Sequence, residues 1–325
     1  MSDTLAPPIL SLPATAPGTS AACAQHWSLT AAERALLPSA ADLAFYREHG
    51  WWISPRIVSA SDLAIAQESA ECYYHGERDL PWPGQVEPDC GWKPENGPGL
   101  RKNDYATLEM RGLGALMRKP LLGATAALLA EVDSVRLWHD QLLYKPGDPE
   151  SARHDHVGWH TDRGYWKVCS SDRMLTAWIP FHDCPEEMGT ITMIDGSHRW
   201  ADHSMRLNFF DHDLDKLERE FDSGGLPVVK VPMVLAQGQV SFHSCLTIHG
   251  SSRNRSAHPR RSLAVHFQDG DNHWQRWVRP DGTVAGHGNE TFARARPDGT
   301  PDFSDPGMFP TLWAGGASAA RRQQA

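Results

Sequence analysis

The sequence lacks the features of several common protein classes. Its six cysteines form no C-x-x-C pair, and they are Cys23, Cys72, Cys90, Cys169, Cys184 and Cys245. Dispersed cysteines favour reduced thiols over a disulfide framework or a structural zinc site. There is no run of about 18 apolar residues, and the N-terminus has no basic region followed by an apolar stretch. We therefore expect no membrane partner and no secretory signal, and we predict a cytoplasmic protein.

Clustered positive charge is also missing. The formal charge is −9 with a pI near 6.0, and the nearest basic run, residues 253–261, is interrupted by Asn254, Ser256 and Pro259. Because phosphate binding needs clustered cationic side chains, we expect no nucleic-acid partner. The length of 325 residues allows a sizeable core. Residues 1–27 are rich in Ala, Pro, Ser and Thr, so we expect them to form a disordered tail. We expect one domain over residues 28–325. The sequence does not indicate the oligomeric state.

Helical patterns occupy the first part of the chain. Residues 39–50 read as a short helix closed by Gly50, and residues 51–53 then read as an extended entry into the fold. A second helix is expected from a cap at Ser61 to a stop at Gly76. Residues 106–132 are helical by composition and spacing, with a break at Pro120, which suits the first turn of a helix.

Strand patterns follow from Val135 onward. Short segments rich in β-branched and aromatic residues are separated by turn residues, and they are residues 135–144, 176–182, 190–195, 227–233, 239–249 and 261–268. Helices followed by a run of strands predict an α+β, mainly β, fold: an antiparallel sandwich or barrel with helices packed outside it. The polar, Pro/Gly-rich stretch after about Asp271 is expected to be mostly loop, with disordered final residues.

The strongest chemical pattern is GWHTDRGYW, residues 158–166. In an extended chain, residues two apart point the same way, so His160 and Asp162 are expected to lie on one face as two metal ligands. An H-x-[DE] pair alone is weak, because about two are expected by chance in this composition, and His75-Gly76-Glu77 is a second match that we assign to a helix end. His249, 87 residues after Asp162 and just before a Gly-Ser turn, is the candidate third ligand. Two histidines and one carboxylate favour iron with open positions, and zinc is the alternative metal.

Several separate blocks of the sequence resemble one family. They are LWHDQLLYKPG, VGWHTDRGYW, TAWIPFHDCPEEMGTITMIDGSH, IHGSSRNRS and PRRSLAVHF, in this order between residues 137 and 267. Together they resemble the phytanoyl-CoA dioxygenase family of iron(II)/2-oxoglutarate oxygenases. The resemblance implies a double-stranded β-helix, or jelly roll of the cupin type, with its core at about residues 133–270 and N-terminal helices flanking it. Asp195 stands where the family's PGSH-type turn usually has proline, a difference that we expect to matter little.

The resemblance also implies roles for individual residues. His160, Asp162 and His249 match the iron ligands. Arg260 matches the arginine that pairs with the distal carboxylate of 2-oxoglutarate, through the two parallel hydrogen bonds that a guanidinium offers; Arg261 is a substitute, but adjacent strand residues face opposite ways. Three further positions match residues that contact the cosubstrate, and they are Ser251, Gln141 and Trp178. For the last two, ordinary packing is an equal alternative.

The implied activity is a dioxygenase reaction with iron(II), 2-oxoglutarate and O2. It would hydroxylate an unactivated C–H bond of a small-molecule substrate and release succinate and CO2. Related halogenases have Gly or Ala at the position of Asp162, so hydroxylation is the expectation here. Desaturation, cyclisation or epimerisation by the same oxidant, and a non-catalytic cupin-like metal-binding protein, are the alternatives. The substrate cannot be read from the sequence; Trp82, Trp92, Trp159 and Trp166, with Arg101, Lys102 and Arg163, are candidate pocket residues.

Overall fold

The structure of the protein is a computed structural model. It describes residues 27–88, 91–97, 99–147, 155–200 and 207–315. The predicted disordered tail, apart from Trp27, and the last ten residues of the chain lie outside these ranges. The division into a tail and one domain therefore stays a prediction.

Helices dominate the N-terminal part of the described chain. The α-helices are α1 (Ala31–Arg34), α2 (Ala40–His49), α3 (Ala60–Tyr74), α4 (Ala106–Glu109), α5 (Arg111–Met117), α6 (Pro120–Ala130), α7 (Asp162–Tyr165), α8 (Leu214–Glu218) and α9 (Gly288–Phe292), with short 3-10 turns at Pro94–Asn96, Glu186–Met188 and Ser197–Arg199. Within these ranges no single helix has the length and apolar character to cross a membrane, although the bent pair of α5 and α6 passes that test together.

The strands are distributed over two sheets. They are β1 (Trp51–Ile53), β2 (Arg101–Asp104), β3 (Ser134–Lys145), β4 (Val157–His160), β5 (Leu175–Pro180), β6 (Thr192–Ile194), β7 (Lys230–Pro232), β8 (Ser241–Ser244), β9 (His249–Ser251), β10 (Arg260–Asp269) and β11 (Thr311–Ala314). The larger sheet has the order β1-β8-β5-β10-β3-β11, with β2 also paired to β3, and the smaller sheet has the order β4-β9-β6-β7. All pairings between these strands are antiparallel.

The two sheets pack face to face. Alternate residues of β10 face opposite ways: Leu263 and Val265 belong to the core between the larger sheet and the helices, whereas Ala264 belongs to a core that also contains Met193 of the smaller sheet. The predicted jelly-roll core with helices outside is thus confirmed. The larger sheet also takes three strands, β1, β2 and β11, from outside residues 133–270.

The helix ends follow the predicted signals, with one shift. Ser39 caps α2 by accepting a hydrogen bond from the Asp42 amide, and Gly50 ends the helix in the left-handed conformation (φ 76°). The predicted cap of α3 at Ser61 is wrong, because Ser59 accepts the bond from the Asp62 amide. Pro120 stands at the start of α6, as expected.

The strand predictions were wrong over one segment and missed three strands, β2, β4 and β11. Residues 239–249 form two strands, because the chain turns at residues 245–248 and crosses from the larger sheet to the smaller one. The strands β2 and β4 were not predicted, since Arg-Lys-Asn-Asp carries little strand propensity and Val-Gly-Trp-His is short and contains a glycine. The C-terminal stretch is not only loop, because Thr311–Ala314 pairs with the start of β3.

Asp195 connects the N-terminal helices to the smaller sheet. Its Oδ1 accepts a hydrogen bond from Trp51 Nε1 at 2.8 Å and lies 2.8 Å from His49 Nδ1, and both side chains belong to the segment from α2 to β1. The carboxylate therefore has a structural task that proline could not perform, so this difference from the family pattern matters more than we expected from the sequence.

We expect Asp195→Ala to lower the free energy of unfolding by about 1–2 kcal/mol, because two half-buried donors lose their acceptor. Chemical denaturation followed by circular dichroism measures the change. Asp215→Ala is the matched control, since Asp215 is exposed on α8. Equal stability of the two variants would contradict this role.

Candidate active site

The smaller sheet brings two imidazoles together. His160 is the last residue of β4 and His249 is the first residue of β9, and the two residues are direct partners across the antiparallel pair. Their ring centroids are 4.1 Å apart. The predicted Gly250-Ser251 turn is therefore wrong, because these residues continue β9. The pairing explains how ligands far apart in the sequence meet in space.

Local hydrogen bonds fix which nitrogen of each ring faces the centre. The Nδ1 atom of His160 lies 2.8 Å from the Gly158 carbonyl oxygen, and that of His249 lies 3.0 Å from the Thr247 carbonyl oxygen. A carbonyl can only accept, so each neutral ring carries its proton on Nδ1. The Nε2 atoms are left as free donors of an electron pair, which is the form that binds a metal ion.

Asp162 reaches the same point by a route that the sequence did not indicate. It does not share a strand face with His160, because β4 ends there and Asp162 opens α7, whose cap Thr161 accepts a hydrogen bond from the Gly164 amide. Asp162 Oδ1 lies 3.8 Å from His160 Nε2 and 3.7 Å from His249 Nε2. These distances are too long for hydrogen bonds and suit donors that share one ion. Among the described residues, this is the one group of three or more His, Cys, Asp or Glu side chains with donor atoms within 4.8 Å of one another.

The larger sheet holds the second oxygen of Asp162. Thr176 Oγ1 donates a hydrogen bond to Oδ2 at 2.6 Å, and His243 Nε2 lies 3.4 Å from the same oxygen. Thr176 also lies 2.7 Å from His266 Nδ1. Thr176 is paired with His243 on one side and with His266 on the other, so these side chains form a row across β8, β5 and β10. This row fixes the carboxylate so that Oδ1 points at the imidazoles.

The electrostatic environment keeps the three groups in the protonation states of metal ligands. Burial lowers the pKa of His160, and burial together with the neighbouring His160 ring lowers that of His249 well below its usual value. Burial alone would raise the pKa of Asp162, but His249 and the His243 ring, whose Nε2 lies 3.4 Å from Oδ2, outweigh it and hold the pKa well below its usual value. Neutral imidazoles beside an ionised carboxylate result.

A neighbouring loop closes over His160. Gly158 donates its backbone N–H to the Phe209 carbonyl, and a Cβ on Gly158 would lie 2.1 Å from the Asn208 carbonyl oxygen. Only glycine lets this loop approach β4 so closely. Phe209 then packs on His160 with a centroid distance of 5.0 Å, and the Tyr165 hydroxyl accepts a hydrogen bond from its backbone N–H. The contact excludes water from one side of the imidazole.

A narrow cavity leads from the three ligands to Arg260. Its wall includes Ser251 and the other two predicted cosubstrate residues, Gln141 and Trp178. Gln141 and Trp178 are both register partners of Ala264, so they flank that small residue on neighbouring strands and line the cavity from both sides. The structure thus places all four predicted cosubstrate residues around one cavity.

Arg260 and Arg261 face opposite ways, as expected for adjacent residues of a strand. The Arg260 side chain is fully buried at the end of the cavity and donates from Nη1 to the Gly189 carbonyl oxygen at 2.5 Å, while its Nε has no partner among the described residues. The Arg261 side chain instead forms an ion pair with Glu71 of α3 at 2.8 Å. A buried guanidinium with an unsatisfied N–H is a ready site for a carboxylate.

Lys145 is a second buried basic residue at this end, and its place in the site was not predicted from the sequence. It is the register partner of Arg260 on β3, and its Nζ donates to Ser251 Oγ at 2.8 Å. Because Ser251 accepts this bond, its own hydroxyl proton is free to point into the cavity. Burial and the Arg260 charge lower the pKa of Lys145 well below its usual value.

A second, larger cavity of about 260 Å³ opens on the other side of the ligands. Of the candidate pocket residues from the sequence, Lys102 and Trp166 line it. The others have different contacts: Arg101 stacks on Trp92 at 4.2 Å, Arg163 donates to backbone carbonyl groups, Trp159 packs on Phe221 and Trp82 packs behind Tyr105.

The positions of several further site residues could have been predicted from strand alternation. Strand alternation places His139 on the same face as Gln141, Thr176 on the same face as Trp178, and His266 on the same face as Arg260. Counting along each strand in steps of two residues from Gln141, Trp178 and Arg260 leads to these positions. His287 could not be found in this way, because it lies in the irregular C-terminal region.

Comparisons with known proteins agree with this architecture. The family model described as Phytanoyl-CoA dioxygenase (PhyH) matches residues 93–262. A curated relative is the peroxisomal phytanoyl-CoA dioxygenase of Bos taurus, 24% identical over 150 residues, which cover 43% of this chain and 42% of the relative. Another is the ectoine dioxygenase of Bordetella bronchiseptica, 27% identical over 173 residues, which cover 49% of this chain and 54% of the relative. The chain thus spans about half or less of the length of these relatives.

Solved structures share the fold over a larger part of the chain. The non-heme alpha-ketoglutarate-dependent carbocyclase SnoK from nogalamycin biosynthesis is 24% identical, with a TM-score of 0.61 over 85% of this chain and 97% of that one. EctD from S. alaskensis, solved with 2-oxoglutarate and 5-hydroxyectoine, is 20% identical, with a TM-score of 0.57 over 78% of this chain and 86% of that one. The family model extends over more than half of the 325 residues and includes the ligand-bearing strands and Arg260. By that match, the chain belongs to the phytanoyl-CoA dioxygenase family.

Proposed function

We propose that the protein is a non-haem iron(II)/2-oxoglutarate-dependent dioxygenase that hydroxylates an unactivated C–H bond of a small molecule. The observation that carries the proposal is the meeting of His160, Asp162 and His249 at the junction of two cavities, one of which ends at a buried arginine. Iron and 2-oxoglutarate, when bound, would supply the activation of O2, coupled to decarboxylation to succinate and CO2.

The donor set fits iron(II). Two neutral imidazole nitrogens and one carboxylate oxygen on one side of an ion leave the remaining positions open, which is the ligand pattern of non-haem iron oxygenases. The carbonyl partners of both Nδ1 atoms and the Thr176 bond to Asp162 orient the three ligands before any ion arrives. His243 and His266 lie close to Asp162 but support it from behind, and we assign them positioning roles.

The narrow cavity fits 2-oxoglutarate. Arg260 would pair with the distal carboxylate through its unsatisfied Nε, and Ser251, held by Lys145, would donate its hydroxyl proton to the same group. Trp178 would form one wall, with its ring centroid 5.5 Å from the Arg260 guanidinium carbon. Gln141 lines both cavities and would lie where cosubstrate and substrate meet.

The relatives support a dioxygenase but differ in what their names say of the reaction. The curated relatives are named phytanoyl-CoA and ectoine dioxygenases, whereas SnoK is named a carbocyclase and SnoN, another structure of this fold, an epimerase. Hydroxylation is our first proposal because Asp162 speaks against halogenation and the curated relatives are named dioxygenases; the three ligands themselves fit the other oxidations equally well. Cyclisation, epimerisation or desaturation is the second candidate, and a non-catalytic metal-binding protein is the third.

The mass of the product separates these outcomes. Incubation of the protein with metabolite extracts, iron(II), 2-oxoglutarate and O2, followed by mass spectrometry, is expected to give a product that gains one oxygen atom together with stoichiometric succinate. Loss of two hydrogens would favour desaturation or ring formation, and a product of unchanged mass would favour epimerisation. Iron binding with no succinate above the rate without extract would contradict an enzyme.

We expect His160→Ala and His249→Ala each to abolish iron(II) binding and 2-oxoglutarate decarboxylation, because two remaining ligands cannot hold the ion in this geometry. Iron content per chain and succinate release measure the two effects. His75→Ala is the matched control, because it changes the other H-x-E sequence, which is exposed at the end of α3. Full iron binding in either ligand variant would contradict the assignment.

We expect Arg260→Lys to raise the KM for 2-oxoglutarate roughly 10- to 100-fold, since a charge-assisted pair is worth about 1.5–3 kcal/mol. Arg261→Lys is the control on the adjacent, outward-facing position and should leave the KM within about twofold, because its pair with Glu71 is partly exposed. Steady-state succinate assays with varied 2-oxoglutarate give both values. The reverse order of effects would assign the cosubstrate to Arg261.

A further inference from the structure

The larger cavity has a position that suits a substrate. It shares His160, Asp162, Gln141 and His266 with the cosubstrate cavity, so a molecule inside it would face an ion held by the three ligands. The chemistry of its wall therefore selects what can react. This reasoning rests on the proposed function, because it takes the three ligands as the reaction centre.

Aromatic rings form much of the wall. Tyr105 and Phe292 are in edge contact at a centroid distance of 5.2 Å, and Trp82 packs against both from behind at 5.6 and 5.5 Å. Phe209 and Trp166 complete the aromatic lining near the ligands. Rings that support one another in this way are held in place and present flat, apolar faces. Such faces stack well on a ring of the ligand.

The imidazoles in this wall are neutral. His287 Nδ1 accepts a hydrogen bond from the Asn289 amide at 3.1 Å, so its proton lies on Nε2, and burial holds its pKa well below the usual value. Burial likewise lowers the pKa of His139 to about 4. In His266, Nδ1 donates to Thr176, which gives its own proton to Asp162, and Nε2 is buried without a partner in the described part of the chain.

The formal charges in the wall, apart from the ligand Asp162, cancel. Lys102 and Asp104 are two residues apart on β2, and Lys102 Nζ lies 2.7 Å from both oxygens of Asp104. No other lysine or arginine is among the described lining residues. A carboxylate or a phosphate in this cavity would have to displace Asp104 from Lys102 or lose its hydration without a partner, and burying an unpaired charge is costly.

We propose that the substrate is an uncharged ring compound that carries hydroxyl or carbonyl oxygens, and that a molecule that must place a carboxylate or a phosphate inside this cavity is not a substrate. The ring stacks between Tyr105, Phe292 and Phe209. Its oxygens accept a hydrogen bond from His287 Nε2, which orients the ring in the cavity. The neutral polar groups set the orientation, and with it the C–H bond that faces the ligands.

Calorimetric titration tests this selectivity on the full chain, loaded with iron(II) and 2-oxoglutarate without oxygen. The probes are 2-naphthol, 2-naphthoate and butyryl-CoA, which present a neutral ring, the same ring with a negative charge, and an acyl-CoA. We expect 2-naphthol to bind at least about tenfold more tightly than 2-naphthoate, because the described lining residues offer the carboxylate no free cation. Butyryl-CoA is expected to bind more weakly than 2-naphthol, because its aliphatic chain offers no ring to the aromatic wall.

Two variants connect the result to the cavity. His287→Phe removes one hydrogen bond and Phe292→Ala removes one ring face, and each is expected to weaken 2-naphthol binding about fivefold. His258→Phe, a change of an exposed histidine outside the cavity, is the control and should leave the affinity unchanged. Equal affinities for all three variants would place the probe elsewhere and overturn the proposal.

The two proposals fail separately. Absence of iron or 2-oxoglutarate binding by the unaltered protein contradicts the function. Normal binding of both, combined with tighter binding of 2-naphthoate or butyryl-CoA than of 2-naphthol, overturns the substrate class and leaves the function intact. No measurable binding of 2-naphthol to that loaded protein overturns it as well.

Discussion

The Asp162 carboxylate, buried between imidazoles and bonded to Thr176, is the interaction on which the rest of the site depends. Each oxygen of this carboxylate has a different surrounding: Oδ1 faces the Nε2 atoms of His160 and His249, with which it would share an ion, and Oδ2 accepts a hydrogen bond from Thr176. His160 and His249 belong to the smaller sheet, and Thr176 belongs to the larger sheet. The packing of the sheets therefore determines the geometry of the ligands, because a shift of one sheet against the other would separate the buried Asp162 carboxylate from Thr176.

This arrangement also divides the interior into two cavities with different chemistry. On one side, Arg260, together with Ser251, whose hydroxyl is bonded to Lys145, forms a cationic end that suits a dicarboxylate. On the other, aromatic rings and buried imidazoles surround a space in which the one lysine among the described lining residues is already paired with Asp104. Alternation along β3 contributes to both, since Gln141 borders each cavity. A cosubstrate and a substrate of opposite polarity could thus bind side by side at one centre.

The sequence predicted most of what depends on local pattern and on family resemblance. Examples are the jelly-roll core, the residues that meet in the site, and the helix boundaries at Ser39, Gly50 and Pro120. It failed where tertiary contacts decide. The crossing between sheets at residues 245–248 splits a segment that reads as one strand, and β2 forms because β3 offers it an edge, not because Arg-Lys-Asn-Asp favours a strand. Lys145 was missed because a buried lysine cannot be distinguished from a solvated one without its neighbours.

Anomalous diffraction from a crystal loaded with iron(II) and 2-oxoglutarate tests the central claim most directly. We predict one strong peak per chain at bonding distance from His160 Nε2, His249 Nε2 and Asp162 Oδ1, with Asp162 Oδ2 still bonded to Thr176. A peak bonded instead to His243 or His266, or one outside the junction of the two cavities, would contradict the account.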